Sequence, residues 1–328
     1  MSVRFEQVPL VGAGTGPAED VDAWLASAAV HALVEAFAVT PDDRALLDAL
    51  ATGKGTAGER LSALDGFSDR WDTRKGLERN QAPELELSIE QEELALEAAT
   101  ALGLRGGARL RFDHYDHVLV LGGLIRACLV RPAYAAHLIG TGRIDAGSVT
   151  GLGGHRPFVG DEFQLAVEAG APELKEEYEA MDFGMRRAFG LSEPESVEGE
   201  VSELPGGTWG VRHYRTGEGV KVHVVAAPSS EPGTRRANTP DSYDFFARHV
   251  AQLSAGQRLL MVTTPIYVPA QHTAAIRMLA LPYGVEVDTV GNEPGAVPGA
   301  PVTDFSATKY LLEVRSTVRA LRQLTESF

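Results

Sequence analysis

Four short polar clusters in this sequence combine residue types able to bind and act on a small molecule, and each follows a run of aliphatic residues. The run from His117 to Leu121 stops at Gly122-Gly123, with Arg126 just beyond. A weaker run near Ser148 leads into Gly153-Gly154-His155-Arg156. Paired glycines let the chain turn tightly and let a ligand approach the backbone. A helix opening nearby would offer free amides to an anion. Either turn serves equally as a plain connection. His155 and Arg156 add an imidazole and a guanidinium suited to a carboxylate or phosphate.

The third cluster follows the run from Val220 to Ala226 and holds Arg235, Arg236, Asn238, Thr239, Pro240 and Asp241. Asn238 or Thr239 can cap a helix opened by Pro240. The two arginines are either an anion clamp or solvated loop charges. The fourth follows the run from Arg258 and holds Thr263, Thr264, His272 and Arg277. A helix starting at Pro269 places His272 in its first turn. An imidazole titrates near neutrality, which suits a general acid or base.

These clusters share one surface only if the runs before them are strands of one parallel sheet. A fifth such run spans Val285 to Val290, and helical stretches separate the runs over 173–189, 240–253 and 269–281. An amphipathic stretch from Thr303 to about Leu324 closes the chain. Strand-helix alternation predicts right-handed βαβ units and a mainly parallel sheet of about five strands. The expected fold over 111–328 is therefore α/β, a Rossmann-like three-layer sandwich, with its ligand crevice beyond the strand C-termini. Residues 1–110 read instead as a helical N-terminal segment. Helices begin near Asp20, at Thr40-Pro41 and at Ser88, the last ending near Gly103.

Bulk properties narrow the function. The chain has 328 residues, 44% hydrophobic and 23% charged, as an ordinary globular protein does. A net charge of −15 disfavours nucleic acid and anionic membranes as partners. The single cysteine, Cys128, excludes an internal disulfide and suits a reducing, cytoplasmic setting, where it reads as a buried thiol. No apolar run approaches the ~20 residues of a spanning helix. Other motifs carry little. The stretch from Gly12 to Gly16 reads as loop, and Thr52 to Thr56 lacks P-loop spacing. Asp113 to His117 has metal-type residues but precedes the first strand, opposite the crevice, so no metal is expected there. No dinucleotide fingerprint is present.

Several motifs in order resemble the YdcF/SanA/ElyC-like family, a domain of unknown function. They are Tyr115 to Gly123 with its closing Leu-Gly-Gly, the pair Glu179-Ala180, the segment Ala237-Asn238-Thr239-Pro240-Asp241-Ser242, and Thr263-Thr264 followed by His272 and Arg277. The resemblance covers about residues 113–295. It implies a Rossmann-like fold with a polar pocket at the strand ends, and S-adenosylmethionine or another nucleotide-like molecule as candidate ligand. The chain lacks that family's membrane anchor, carries Asp241-Ser242 in place of a Glu-Asn pair, and has the helical segment in addition, which could cap the site or make an oligomer contact.

The leading expectation is a cytoplasmic enzyme acting on a small polar, anionic or nucleotide-like molecule by hydrolysis or group transfer. The anion would rest on the two glycine turns with Arg156 and Arg126, and Asn238 and Thr239 would orient the molecule. His272 would be the acid or base, with Glu179 or Asp241 as its partner. The rivals are a non-catalytic nucleotide or S-adenosylmethionine binder, and an S-adenosylmethionine-dependent transferase.

Overall fold

The structure is a computed structural model that describes residues 5–12, 16–74, 83–297 and 304–328. Residues 13–15 of the glycine-rich stretch, and Thr303, lie outside the described residues. In chain order, five helices come first: α1 (Pro17–Leu25), α2 (Ala28–Phe37), α3 (Pro41–Thr52), α4 (Ala57–Ser68) and α5 (Ile89–Ala101). Then follow β1 (His114–Leu121), α6 (Ile125–Gly140), β2 (Asp145–Gly153), α7 (Glu162–Glu168) and α8 (Glu177–Phe189). Next come β3 (Ser196–Glu200), β4 (Trp209–Arg215), β5 (Lys221–Ala226), α9 (Thr239–Phe245) and β6 (Arg258–Thr263). The chain closes with α10 (Val268–Ala275), α11 (Leu281–Tyr283), β7 (Glu286–Gly291) and α12 (Ala307–Thr325).

These elements form two compact units. One comprises Met1–Ala108, Pro265–Arg277 and Thr303–Phe328, the other Arg109–Thr264 and Met278–Val302. A single cut near residue 110 therefore does not describe the division, because α10 and α12 join the N-terminal helices.

In the helical unit, α3, α4 and α5 open on reciprocal caps: Thr40 with Asp43, Thr56 with Glu59 and Ser88 with Gln91. Each cap satisfies two otherwise orphaned amides. Phe37 and Phe67 meet the buried Trp71 edge-on. The chemistry of α12 explains why it belongs here. Leu311, Val318 and Leu321 are buried, and Arg315, Arg319 and Arg322 share one helix face. That face meets Asp65 of α4, which takes Arg315 at 3.0 Å, Arg319 at 2.9 Å and Arg322 at 2.7 Å.

The second unit is mixed α/β. Its sheet has seven strands in the order β3-β4-β5-β2-β1-β6-β7. All pairs from β5 to β7 are parallel, whereas β3-β4 and β4-β5 are antiparallel. Val118 to Val120 and Leu259 to Val262 are fully buried, as expected of central strands covered on both faces. On one face α8 crosses β2. A side chain at Gly151 would come within 2.8 Å of Met181, and one at Gly153 within 3.0 Å of the Tyr178 backbone. On the other face His117 meets Ser148 at 2.8 Å and lies edge-on to Phe246, in the π-helical continuation of α9. The two strands beyond the expected five are β3 and β4. All five residues of β3 are exposed, so it has no buried face to show in the sequence. Among the described residues, no helix is long and apolar enough to cross a membrane.

Candidate functional site

The parallel register brings four of the expected segments to one sheet edge. Leu121 pairs with Leu152, Gly153 with Ala226, Val120 with Val262, and Thr263 with Gly291. Gly122, Gly154, Ala227 and Thr264 therefore all emerge at the strand C-termini, and Asn238 caps α9 in the segment that leaves β5. The chain runs outward from β1 through β2 to β5, then returns to the other side of β1 with β6. The reversal of strand order lies between β1 and β6, where open parallel sheets leave a crevice.

Much of the charge at this edge is satisfied within the protein. Arg156 is buried, and its guanidinium donates to Glu177 Oε2 (2.9 Å), both oxygens of Glu162 (2.8 and 3.0 Å), the Gly123 carbonyl (3.1 Å) and the Pro157 carbonyl (3.2 Å). A guanidinium has five N–H donors, so this set uses them all. The expected anion clamp is instead an internal tie between two loops. Glu162, fully buried, also accepts from the amides of Ile125 and Val159, both at 2.9 Å. Burial alone would raise its carboxyl, but the Arg156 guanidinium and these amides outweigh that and hold it low. Ile125 opens α6, so the helix start expected to seat a ligand anion already holds a carboxylate of the chain.

The glycines follow from the same crowding. A side chain on Gly122 would collide with Glu177 Oε1 and the Leu152 carbonyl oxygen. One on Gly123 would press within 3.1 Å of Ala127, while the space at Gly154 is open.

Two residues outside the expected site dominate the edge: Glu177, which the sequence offers only as one of three nearby acids with Glu162 and Glu179, and Arg131, which it does not single out. Glu177, the first residue of α8, sets one carboxylate oxygen on Arg156 and the other beside Gly122. Burial pushes its carboxyl up against the opposing pull of Arg156, Arg131 and Arg236. Arg131, buried in α6, reaches the end of β1 through the carbonyls of Leu121 (2.6 Å) and Gly122. It also reaches the end of β6 through Thr264 Oγ1, at 3.0 and 3.2 Å. One guanidinium thus bridges the two strands between which the order reverses. A charged residue inside the apolar stretch of α6, beside Pro132, was the available signal. The neighbouring Cys128 is buried, and burial pushes its thiol up, out of nucleophile range.

The α9 opening is built as a cap. Asn238 accepts from the Asp241 amide at 3.1 Å, and Asp241 accepts from the Asn238 amide at 2.8 Å. Thr239 is the first residue of the helix. Asp241 also takes the Ser230 amide (3.1 Å) and Arg235 (2.5 Å). Burial would raise its carboxyl, but these bonds pull it down to about 2. Such a group stays ionised and does not exchange protons near neutrality. His155 turns Nδ1 to Glu176 Oε1 at 3.0 Å and lies edge-on to Tyr178. Thr263 is fully buried, and Arg126 is exposed.

His272 and Arg277 fall in the helical unit. His272 is buried, with Nε2 at 2.8 Å from the Val11 carbonyl, a fixed position in a core. Arg277 is half-buried in a π-helical turn that continues α10. Glu179 accepts the Lys175 amide at 2.7 Å and so helps close the start of α8. Among the described residues, no group of three or more His, Cys, Asp or Glu side chains could hold a metal ion.

Comparison with known proteins corrects the resemblance drawn from the short motifs. A family model described as the Rv3785 N-terminal domain matches residues 12–103. Across 331 aligned residues the chain is 30% identical to protein Rv3785 of Mycobacterium tuberculosis and to protein Mb3814 of Mycobacterium bovis. The match covers 93% of this chain and 88% of each relative. Both are named uncharacterized proteins, so their names bring no activity. No solved structure matches the chain. The likeness to the YdcF/SanA/ElyC-like family is thereby overturned: the motifs behind it are short, and those at strand ends and caps are what any parallel α/β sheet demands.

Proposed function

The chain belongs to the Rv3785 family, and within it we propose that the second unit is a Rossmann-like three-layer domain acting on a small polar molecule at its strand ends. The molecule is anionic or nucleotide-like, and the reaction is hydrolysis or group transfer. Support for the layering comes from α8 on one sheet face and the α9 segment on the other. Support for the site comes from the parallel core β5-β2-β1-β6-β7, whose order reverses between β1 and β6.

The observation that carries the reading is Glu177. Its carboxyl lies at the end of β1, held through one oxygen by Arg156, with its affinity for a proton raised by burial. A carboxyl whose hold on a proton is strengthened by burial can take a proton from an attacking water or hydroxyl and return it to a leaving group. Arg156 positions that carboxyl, and Arg131 places a fixed positive charge beside it. Charge that develops on a ligand oxygen in the crevice would be stabilised by such a preset group. The second reading, a binder without chemistry, is favoured by the internal saturation of Arg156, Glu162 and Asp241.

Native mass spectrometry of freshly purified protein tests the proposal, with Glu177→Gln as the partner sample. The expected result is a small molecule retained by the wild type, and retained more fully by Glu177→Gln because it is bound and not turned over. Equal retention and equal turnover would leave the binder. The proposal fails if neither protein carries a ligand and neither is stabilised by adenosine monophosphate, S-adenosylmethionine or inorganic phosphate.

A further inference from the structure

The sheet face that carries α9 holds a chain of histidines that the strand-end site does not use. His213 of β4 and His223 of β5 stand in direct register, and their Nδ1 atoms lie 2.9 Å apart. The other ring nitrogen of His213, Nε2, lies 3.1 Å from Glu198 Oε1 of β3. Glu198 Oε2 in turn meets His249 Nε2 at 3.3 Å, in the π-helical continuation of α9. On its other side His223 is in register with Thr150 of β2. Thr150 is fully buried, and its hydroxyl has no hydrogen-bond partner among the described residues.

The spacing of the two rings limits what lies between them. A carboxylate only accepts, so His213 Nε2 carries a proton toward Glu198. Two facing ring nitrogens at 2.9 Å cannot both keep a proton, and the gap holds either one proton or one cation. Burial above all keeps His223 neutral, with its imidazole down at about 4, and neutral imidazole is the form that ligates metals. Nitrogens about 2.0–2.1 Å from one ion lie roughly 2.9–3.4 Å apart, for coordination angles of about 90–110°. The observed separation falls in that range, so an ion would enter with little movement of the strands. A metal-binding histidine usually donates its other ring N–H to a carboxylate or carbonyl, as His213 does to Glu198.

We propose that His213 and His223 chelate one divalent ion of the zinc, nickel or copper class through their Nδ1 atoms, with Glu198 orienting His213. Imidazole nitrogen suits these ions, whereas calcium and magnesium take oxygen. Among the described residues no set of three His, Cys, Asp or Glu ligands forms, so the remaining coordination positions fall to water or to an outside donor. Water carried by the ion gives the Thr150 hydroxyl the partner it lacks. His213 is half-buried and sits beside the exposed strand β3, which leaves a way in. The ion would tie β4 to β5 through their side chains. This inference does not rest on the strand-end reading above.

The test is calorimetric titration of chelator-treated protein with zinc chloride and, separately, with nickel chloride. The wild type should bind one ion per chain, and His223→Phe and His213→Gln should each abolish that binding. Glu198→Gln should weaken it about 10–100-fold, the usual effect of losing the carboxylate behind a ligating histidine. His114→Gln, at an exposed histidine that opens β1, should bind as the wild type does. Thermal melts without metal confirm that each variant folds, and the half-buried His213→Gln carries the test if His223→Phe does not. The inference is overturned if the wild type takes up neither ion. It is equally overturned if a folded His213→Gln binds as tightly as the wild type, which would leave a shared proton as the occupant of the gap.

Discussion

Replacing Arg156 by methionine removes the centre of the internal ion network, and the structure fixes both the size and the pH signature of the loss. Arg156 supplies two of the four hydrogen bonds to Glu162, which has no exposed surface, and one to Glu177. Breaking a buried pair by deleting one partner costs about 3–5 kcal/mol, because the remaining charge is left uncompensated. For a unit of this size that is a fall of roughly 6–20 °C in melting temperature. The native protein holds the Glu162 carboxyl low. Without Arg156, burial is opposed only by the Ile125 and Val159 amides, and the folded-state carboxyl rises above its unfolded value. A group raised in the folded state destabilises above that folded pKa and ceases to do so below the unfolded one. The deficit of Arg156→Met relative to wild type should therefore be full at about pH 8 and shrink toward about pH 5. Paired thermal melts across that range measure it. A deficit below about 1 kcal/mol, the range of solvent-exposed pairs, or one independent of pH, would show that Arg156 does not hold the Glu162 charge in the folded protein.

His223 predicts an opposite pH response in the wild type. Burial first, then the neighbouring His213, Lys221 and His117, push its imidazole from 6.5 down to about 4, while Glu198 opposes them. The unfolded chain binds the proton more readily, so stability is intact above 6.5 and falls as pH drops toward 4. The loss should be about 2 kcal/mol between about pH 7.5 and pH 5, and His223→Phe should melt with a visibly flatter acid limb. Gly122→Ala should lower stability by about 2 kcal/mol or more, because the methyl overlaps both Glu177 and the Leu152 carbonyl. Denaturant unfolding reads this, and a neutral substitution would show that the Gly122 turn is loose.

The parallel core was legible because β1 and β6 are continuous aliphatic runs ending at glycines or hydroxyls, the pattern that burial on both faces imposes. The helix openings at Thr40, Ser88 and Asn238 were legible because capping is local chemistry. Long-range charge was not. Nothing near Arg156 in sequence says that Glu162 and Glu177 saturate it, and nothing near α12 says that Asp65 lies 250 residues away along the chain at 3.0 Å. The same limit left Glu177 undistinguished from Glu162 and Glu179, the other acids named near that strand end. Glu177 and Glu179 point differently from α8, and only the fold decides which one meets Gly122. His272 shows the reverse: a residue suited to catalysis by type, placed in a core by the company of Val11.

The convergence of four strand ends on one ligand is tested most directly by following backbone amide resonances during titration with adenosine monophosphate and with inorganic phosphate. Gly122, Gly123, Gly154, Ser230 and Thr264 should shift together along one binding curve. Shifts confined to a different surface, or none at ligand concentrations that saturate ordinary small-molecule sites, would contradict that convergence.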